Sequence, residues 1–146
     1  MTDTSTVRLD VREHIAHLTL ARADAANTMN LQLGREFLAA ALAIRTDPRV
    51  RAVLLTGEGK NFCFGGDLRG MVASGGDIAA FLTELTTNLH AGMAHLMRAS
   101  APLIAAVVKT TGICKQETIE PMIANKAAFH AALKELHILP LKPVAA

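Results

Sequence analysis

Two short stretches near the start of the chain alternate apolar and polar positions. Val7 to Val11 and His14 to Leu20, joined by a polar connection at Arg12-Glu13, have the period-two pattern of a β-hairpin. The period then changes. Leu31, Leu33, Phe37, Leu38, Ala41, Leu42 and Ile44 fit one face of a helix over Leu31 to Ile44, with Asn30 placed to cap it. Thr46-Asp47-Pro48 ends that helix, because proline cannot continue it and disfavours helical geometry in the residue before. Val50 to Thr56, with Val50, Val53, Leu54 and Leu55, reads as a buried strand of the parallel-sheet type. Strand, helix, strand in succession predicts a right-handed crossover. A glycine-rich segment leads to a second long helix, Asp77 to about Met97, with Ile78, Phe81, Leu82, Leu85, Leu89, Met93 and Leu96 as its predicted core stripe. Ser100 to Val108 returns to a buried strand. Thr118 to Leu136 is again helical by pattern, with Met122, Ile123, Phe129, Leu133 and Leu136 on one face. These elements predict an α/β fold.

The chemistry concentrates between Lys60 and Gly70, KNFCFGGDLRG. This segment follows the Val50 to Thr56 strand and precedes an amphipathic helix, so Gly65-Gly66 must turn from sheet to helix. Two adjacent glycines reach backbone angles that a Cβ obstructs and let a ligand approach the main chain. Asp67 stands at the helix N-cap. Peptide N–H groups exposed at such a corner can receive an oxygen that becomes negative during a reaction, as an oxyanion hole does. A plain β-to-α turn with a cap accounts for the same spacing. Met71 to Gly76 is small and suits a flexible connector beside the corner. Gly57-Glu58-Gly59-Lys60 lacks the third glycine of a dinucleotide loop and the spacing of a phosphate loop, which excludes both.

Phe62-Cys63-Phe64-Gly65-Gly66-Asp67-Leu68 resembles the F-x-x-G-x-D-[LI] segment of the crotonase family, the enoyl-CoA hydratases and isomerases. Leu18-Thr19-Leu20 through Asn27 resembles that family's first strand pair and following loop. Arg51 to Gly57 resembles the strand before the site, and Ala101 to Val107 the strand leading to its second half. The likeness covers about residues 7–107. It implies a crotonase-like β-β-α spiral, incomplete here, with 1–107 as the N-terminal core and 108–146 as a divergent C-terminal helical tail. It also implies an acyl-CoA thioester as partner, with coenzyme A as part of the substrate and no separate cofactor. The chemistry implied is that of a lyase or isomerase of fatty acid metabolism, with an enolate held in an oxyanion hole.

Residue by residue, the resemblance makes the Gly66 N–H an oxyanion donor and Phe64, Gly66, Asp67 and Leu68 substrate contacts. Asp24, Ala26 and Thr28 are carried over as contacts to the adenine and phosphate portion of coenzyme A. In the same loop Arg22 is either a positive charge for a phosphate or a solvated side chain. Counting on from Ala105-Ala106-Val107 without a gap places Cys114 at the second donor and Glu117 at an acidic catalytic position. Val108 to Lys115 replaces the family's glycine-rich turn. The tail does not resemble the family's second half, which normally supplies the other acid/base carboxylate and the helices used in trimerisation. Two functions therefore stand side by side: an enoyl-CoA hydratase or isomerase, and a truncated or fused non-catalytic relative acting as a binding or subunit-interaction module.

Composition narrows the remaining classes. A chain of 146 residues supports one ordinary domain, half of it apolar, whose core must come from Leu, Ile, Val, Ala and Met since Trp and Tyr are absent. The net charge of +2 is spread without a basic run, which argues against a nucleic-acid partner and leaves acidic substrates open. Cys63 and Cys114, without C-x-x-C spacing, point to a reduced chain with the cytoplasm as expected compartment. The polar N-terminal stretch has no signal core, and no apolar run is long enough for a membrane span. His14 and His17 read as strand-face residues. His90 and His95 miss the spacing that puts two ligands on one helix face, so no metal is expected. No G-x-S-x-G elbow occurs, which excludes that form of serine hydrolase. A homo-oligomer is left open.

Overall fold

The computed structural model of the chain describes residues 4–75 and 77–106. β1 (Val7–Arg12) and β2 (Ile15–Leu20) form the expected antiparallel hairpin. Its turn falls one place later than the polar pattern predicts, because Arg12 pairs with Ile15. Glu13 and His14 are the loop residues, both left-handed at φ 50 and 68. Positive φ at both positions gives the primed turn whose twist matches that of the strands.

α1 (Leu31–Thr46) follows, and Asn30 Oδ1 caps it by accepting from the Leu33 N–H at 2.8 Å. β3 (Ala52–Gly57) then pairs with β2 in parallel. After a short helix α2 (Leu68–Ala73) and the long α3 (Ile78–Met97), β4 (Leu103–Ala105) adds in parallel to β3. The sheet order is β1-β2-β3-β4, a hairpin extended by strands that return through helices. β4 is shorter and less covered than Ser100 to Val108 predicts: Leu103 and Ile104 are half-buried, and Val107 and Val108 lie outside the described residues.

The core joins Ala16 and Leu18 of β2, Val53 of β3, Leu33, Phe37 and Ala41 of α1, and Leu96 of α3. Two glycines set how closely α1 and α3 approach. A Cβ on Gly34 would lie 3.1 Å from Leu85 Cδ1, and one on Gly92 would lie 2.6 Å from Phe37 Cδ1. Each helix thus receives a large side chain of the other where it has none of its own. The buried face of α3 is narrow: Phe81, Leu85, Gly92 and Leu96. Ile78, Leu82 and Met93, predicted as core, are exposed instead.

Glu36 of α1 fixes the start of β1. Its Oε2 accepts from the Thr6 N–H at 2.6 Å, the Thr6 hydroxyl at 2.7 Å and the Val7 N–H at 2.9 Å. Burial opposes its charge, but bonds from Gln32, Thr6 and Val7 outweigh that and hold the carboxyl below its ordinary value. No helix among the described residues is long and apolar enough to cross a membrane. The tail helix predicted over Thr118 to Leu136 lies outside them.

Candidate functional site

The loop after β2 and the loop after β3 are tied together by Asn27. This residue is fully buried and left-handed at φ 55. Its Oδ1 accepts from the Arg22 N–H at 2.8 Å, and its Nδ2 donates to the Glu58 carbonyl at 2.9 Å and the Asn61 carbonyl at 2.8 Å. Asparagine tolerates the left-handed region, and its amide here meets one donor and two acceptors. Main-chain bonds continue the join: the Phe64 N–H to the Ala26 carbonyl at 3.2 Å, the Met29 N–H to the Gly65 carbonyl at 2.8 Å, and the Asp67 N–H to the Met29 carbonyl at 2.9 Å. Met29 and Gly66 form a parallel bridge.

That bridge aims the corner. Gly65 has φ 86, a conformation only glycine takes at no steric cost. The Gly65 carbonyl and the Gly66 N–H belong to one trans peptide, so they point in opposite directions. Since Met29 takes the carbonyl, the Gly66 N–H faces away from the Met29 segment. Among the described residues no acceptor bonds it.

Asp67 caps α2 as predicted, its Oδ1 accepting from the Gly70 N–H at 3.1 Å. Its Oδ2 accepts from Arg22 Nη2 at 2.9 Å, with only 18% of the Arg22 and 15% of the Asp67 side chain exposed. The Gly70 amide and the Arg22 guanidinium hold the Asp67 carboxyl below its ordinary value. Arg22 also donates through Nη1 to the Thr28 carbonyl at 2.5 Å. It is therefore neither a solvated side chain nor a free charge for a phosphate: both ends of its fork are committed within the protein.

α2 corrects two further expectations. It has no buried residue, so it is not an amphipathic helix packed on the sheet, and Met71 to Ala73 lie in it and not in a loop. A Cβ on Gly66 would lie 2.6 Å from Met71 Cε, so the Met71 methyl covers the α-carbon at the corner.

The predicted contacts assemble only in part. Ala26 and Thr28 are half-buried and are joined to Phe64 and Arg22 by the bonds above. Phe64 and Leu68 flank Gly66 and Asp67 in the chain and are 71% and 74% exposed. Asp24 is exposed on a short 3-10 turn, Ala23–Ala25, and takes no part in this bond network. Cys114 and Glu117 lie outside the described residues. His14 bonds the Arg49 carbonyl through Nδ1 at 3.0 Å, and burial with the Arg12 charge lowers the His17 pKa. No group of residues that could hold a metal occurs among the described residues. The role of Arg22 was hidden from the sequence because its partner lies far along the chain. The cover by Met71 had only its helical spacing from Asp67 as a signal.

A sequence profile of the enoyl-CoA hydratase/isomerase family matches residues 10–113. The chain belongs to this family, the crotonases. It is 34% identical over 138 residues to a Mycobacterium tuberculosis protein described as a probable enoyl-CoA hydratase, covering 92% of this chain and 53% of that one. A Rhodobacter capsulatus protein described in the same words is 32% identical over 139 residues, covering 92% and 52%. Among solved structures, an enoyl-CoA hydratase of Mycobacterium smegmatis superposes with a TM-score of 0.63 at 31% identity, over 70% of this chain and 39% of that one. The expected fold class, a partial crotonase fold, is thereby borne out. This crotonase chain spans about half the length of the curated relatives it matches.

Proposed function

We propose that the chain binds an acyl-CoA thioester with the carbonyl oxygen on the Gly66 N–H, in the manner of an enoyl-CoA hydratase or isomerase. The observation that supports this is the Gly66 amide: it has no acceptor among the described residues and is aimed away from the Met29 segment by the Met29–Gly65 bond. Negative charge that develops on the thioester oxygen as an enolate forms would be stabilised there. Ala26, Thr28 and Asp24 are assigned to the coenzyme A portion, Phe64 and Leu68 to the acyl portion, and Asp67 to holding the corner. A second donor at the Cys114 N–H and a proton-moving carboxylate at Glu117 complete the proposal. A cytoplasmic location, expected from the cysteine usage, and a homo-oligomer, expected from the family resemblance, belong to it as well.

One oxyanion donor is worth roughly 3 kcal/mol, so turnover requires the second half of the site. Because the chain covers only about half of its relatives, a binding module without turnover is the second reading. Titration of the protein with crotonyl-CoA, followed by calorimetry and by absorbance of the conjugated thioester, separates them. Binding with loss of absorbance indicates a hydratase, binding alone the module, and no binding refutes both. Gly66→Pro, which removes the N–H, should weaken binding by about tenfold, whereas Gly66→Ala, which keeps it and displaces only the flexible Met71 methyl, should cost much less.

A further inference from the structure

Arg22 reaches Gly66 without touching it. Its Nη1 donates to the Thr28 carbonyl. The Thr28 carbonyl and the Met29 N–H are two ends of one trans peptide, and that N–H donates to the Gly65 carbonyl. The Gly65 carbonyl and the Gly66 N–H are in turn two ends of the next. A guanidinium charge therefore stands at the head of two peptide units in series whose last group is the Gly66 amide, which has no acceptor among the described residues. Hydrogen bonds in such a chain polarise one another, by about 10–30% per bond, and a bond from a charged donor is the stronger start. The other nitrogen, Nη2, holds the Asp67 carboxylate, and the Asp67 N–H closes back on the Met29 carbonyl. One side chain thus holds Asp67 directly and reaches Gly65 through the Thr28–Met29 peptide.

The arginine is itself held rigidly. Its N–H donates to Asn27 Oδ1, and its carbonyl accepts from the Ala25 N–H at 3.0 Å and the Asn27 N–H at 2.8 Å. We infer that Arg22 is the positioning residue of the oxyanion donor, orienting and polarising the Gly66 N–H through the Thr28–Met29 and Gly65–Gly66 peptides. This rests on the proposed role of Gly66. It assigns Arg22 a task inside the protein in place of a contact with the coenzyme. Lysine can substitute only in part, because a single ammonium keeps the charge but lacks the planar fork that meets a carbonyl with one nitrogen and a carboxylate with the other.

The test uses the full chain, labelled with nitrogen-15, and compares wild type with Arg22→Gln and Arg22→Lys. Arg35→Gln, which removes an equal charge from the exposed pair with Glu84, is the control and leaves every reading at the site unchanged. In the free protein, Arg22→Gln should move the Met29 and Gly66 amide proton resonances upfield and weaken crotonyl-CoA binding about tenfold. Arg22→Lys should fall between Gln and wild type. If Arg22 is only structural, both variants lower the melting temperature while the folded protein keeps its Gly66 resonance and its affinity, and the inference is overturned. Should the Gln variant not fold, the Lys variant supplies the same comparison. A wild-type Gly66 resonance that ignores crotonyl-CoA refutes the thioester reading, while the free-protein shifts still decide the relay.

Discussion

Asp67 accepts an amide on one carboxylate oxygen and a guanidinium on the other, and its charge strengthens both bonds. Its folded pKa is lowered, so the stability it contributes is fully present above the unfolded value of about 3.9 and is lost as pH falls through the folded value. Asp67→Asn keeps an oxygen for the cap but discards the charge. Urea midpoints measured from neutral pH down through the carboxylate range should show the wild type losing its advantage over Asp67→Asn in the acid. Glu36 and Asp47 also have lowered pKa values, so it is the difference between the two proteins that isolates Asp67. A constant difference at every pH would refute the role of the charge. Asp67 and Asn30 were legible as caps, and Gly65-Gly66 as a corner, because each is a local property of adjacent residues. The Arg22–Asp67 pair was not, since it depends on two loops meeting.

At the scale of elements, α1 and α3 meet through their glycines. A methyl group at Gly92 would enter the space of the Phe37 ring, which is itself buried in the core. Gly92→Ala should therefore destabilise by about 1–3 kcal/mol, and Phe37→Leu should relieve part of that loss in the double variant. Guanidinium unfolding of the four proteins in the cycle measures the coupling, and strict additivity would show that the ring and the glycine do not meet. The hairpin, both long helices and β3 were readable because hydrophobic period distinguishes strand from helix. Which apolar residues of α3 are buried was not, since Ile78, Leu82 and Met93 satisfy the period as Phe81, Leu85 and Leu96 do and yet are exposed. α2 was missed in its second half, Met71 to Ala73, which was read as part of a connector, because a six-residue helix is too short for a hydrophobic period to show.

For the whole molecule, the order of elements and the family were legible through about residue 107, where hydrophobic pattern and motif agree. Beyond it no family motif is legible, although the family profile runs on to residue 113 and the alignment with the Mycobacterium tuberculosis protein covers 92% of the chain; the assignments to Cys114 and Glu117 rest on counting alone. A thioester that binds only the folded chain must raise its stability by mass action. Crotonyl-CoA at a hundredfold excess over its dissociation constant should add about 2.7 kcal/mol. For a chain of this size that corresponds to a melting temperature raised by roughly 5–10 °C. Scanning calorimetry with crotonyl-CoA, and separately with free coenzyme A, reads the shift. An unchanged melting temperature with both would remove the ligand from the proposal.

Among the described residues β1 is an outer strand of the sheet, and along it Arg8, Asp10 and Arg12 alternate with the half-buried or buried Val7, Leu9 and Val11. Arg8 is paired with Glu58 at 2.9 Å and Arg12 with Asp10 at 3.0 Å. A foreign strand docking along this margin would have to accommodate three charges within six residues. The same strand that starts the sheet thus guards it against amyloid-like growth from that side.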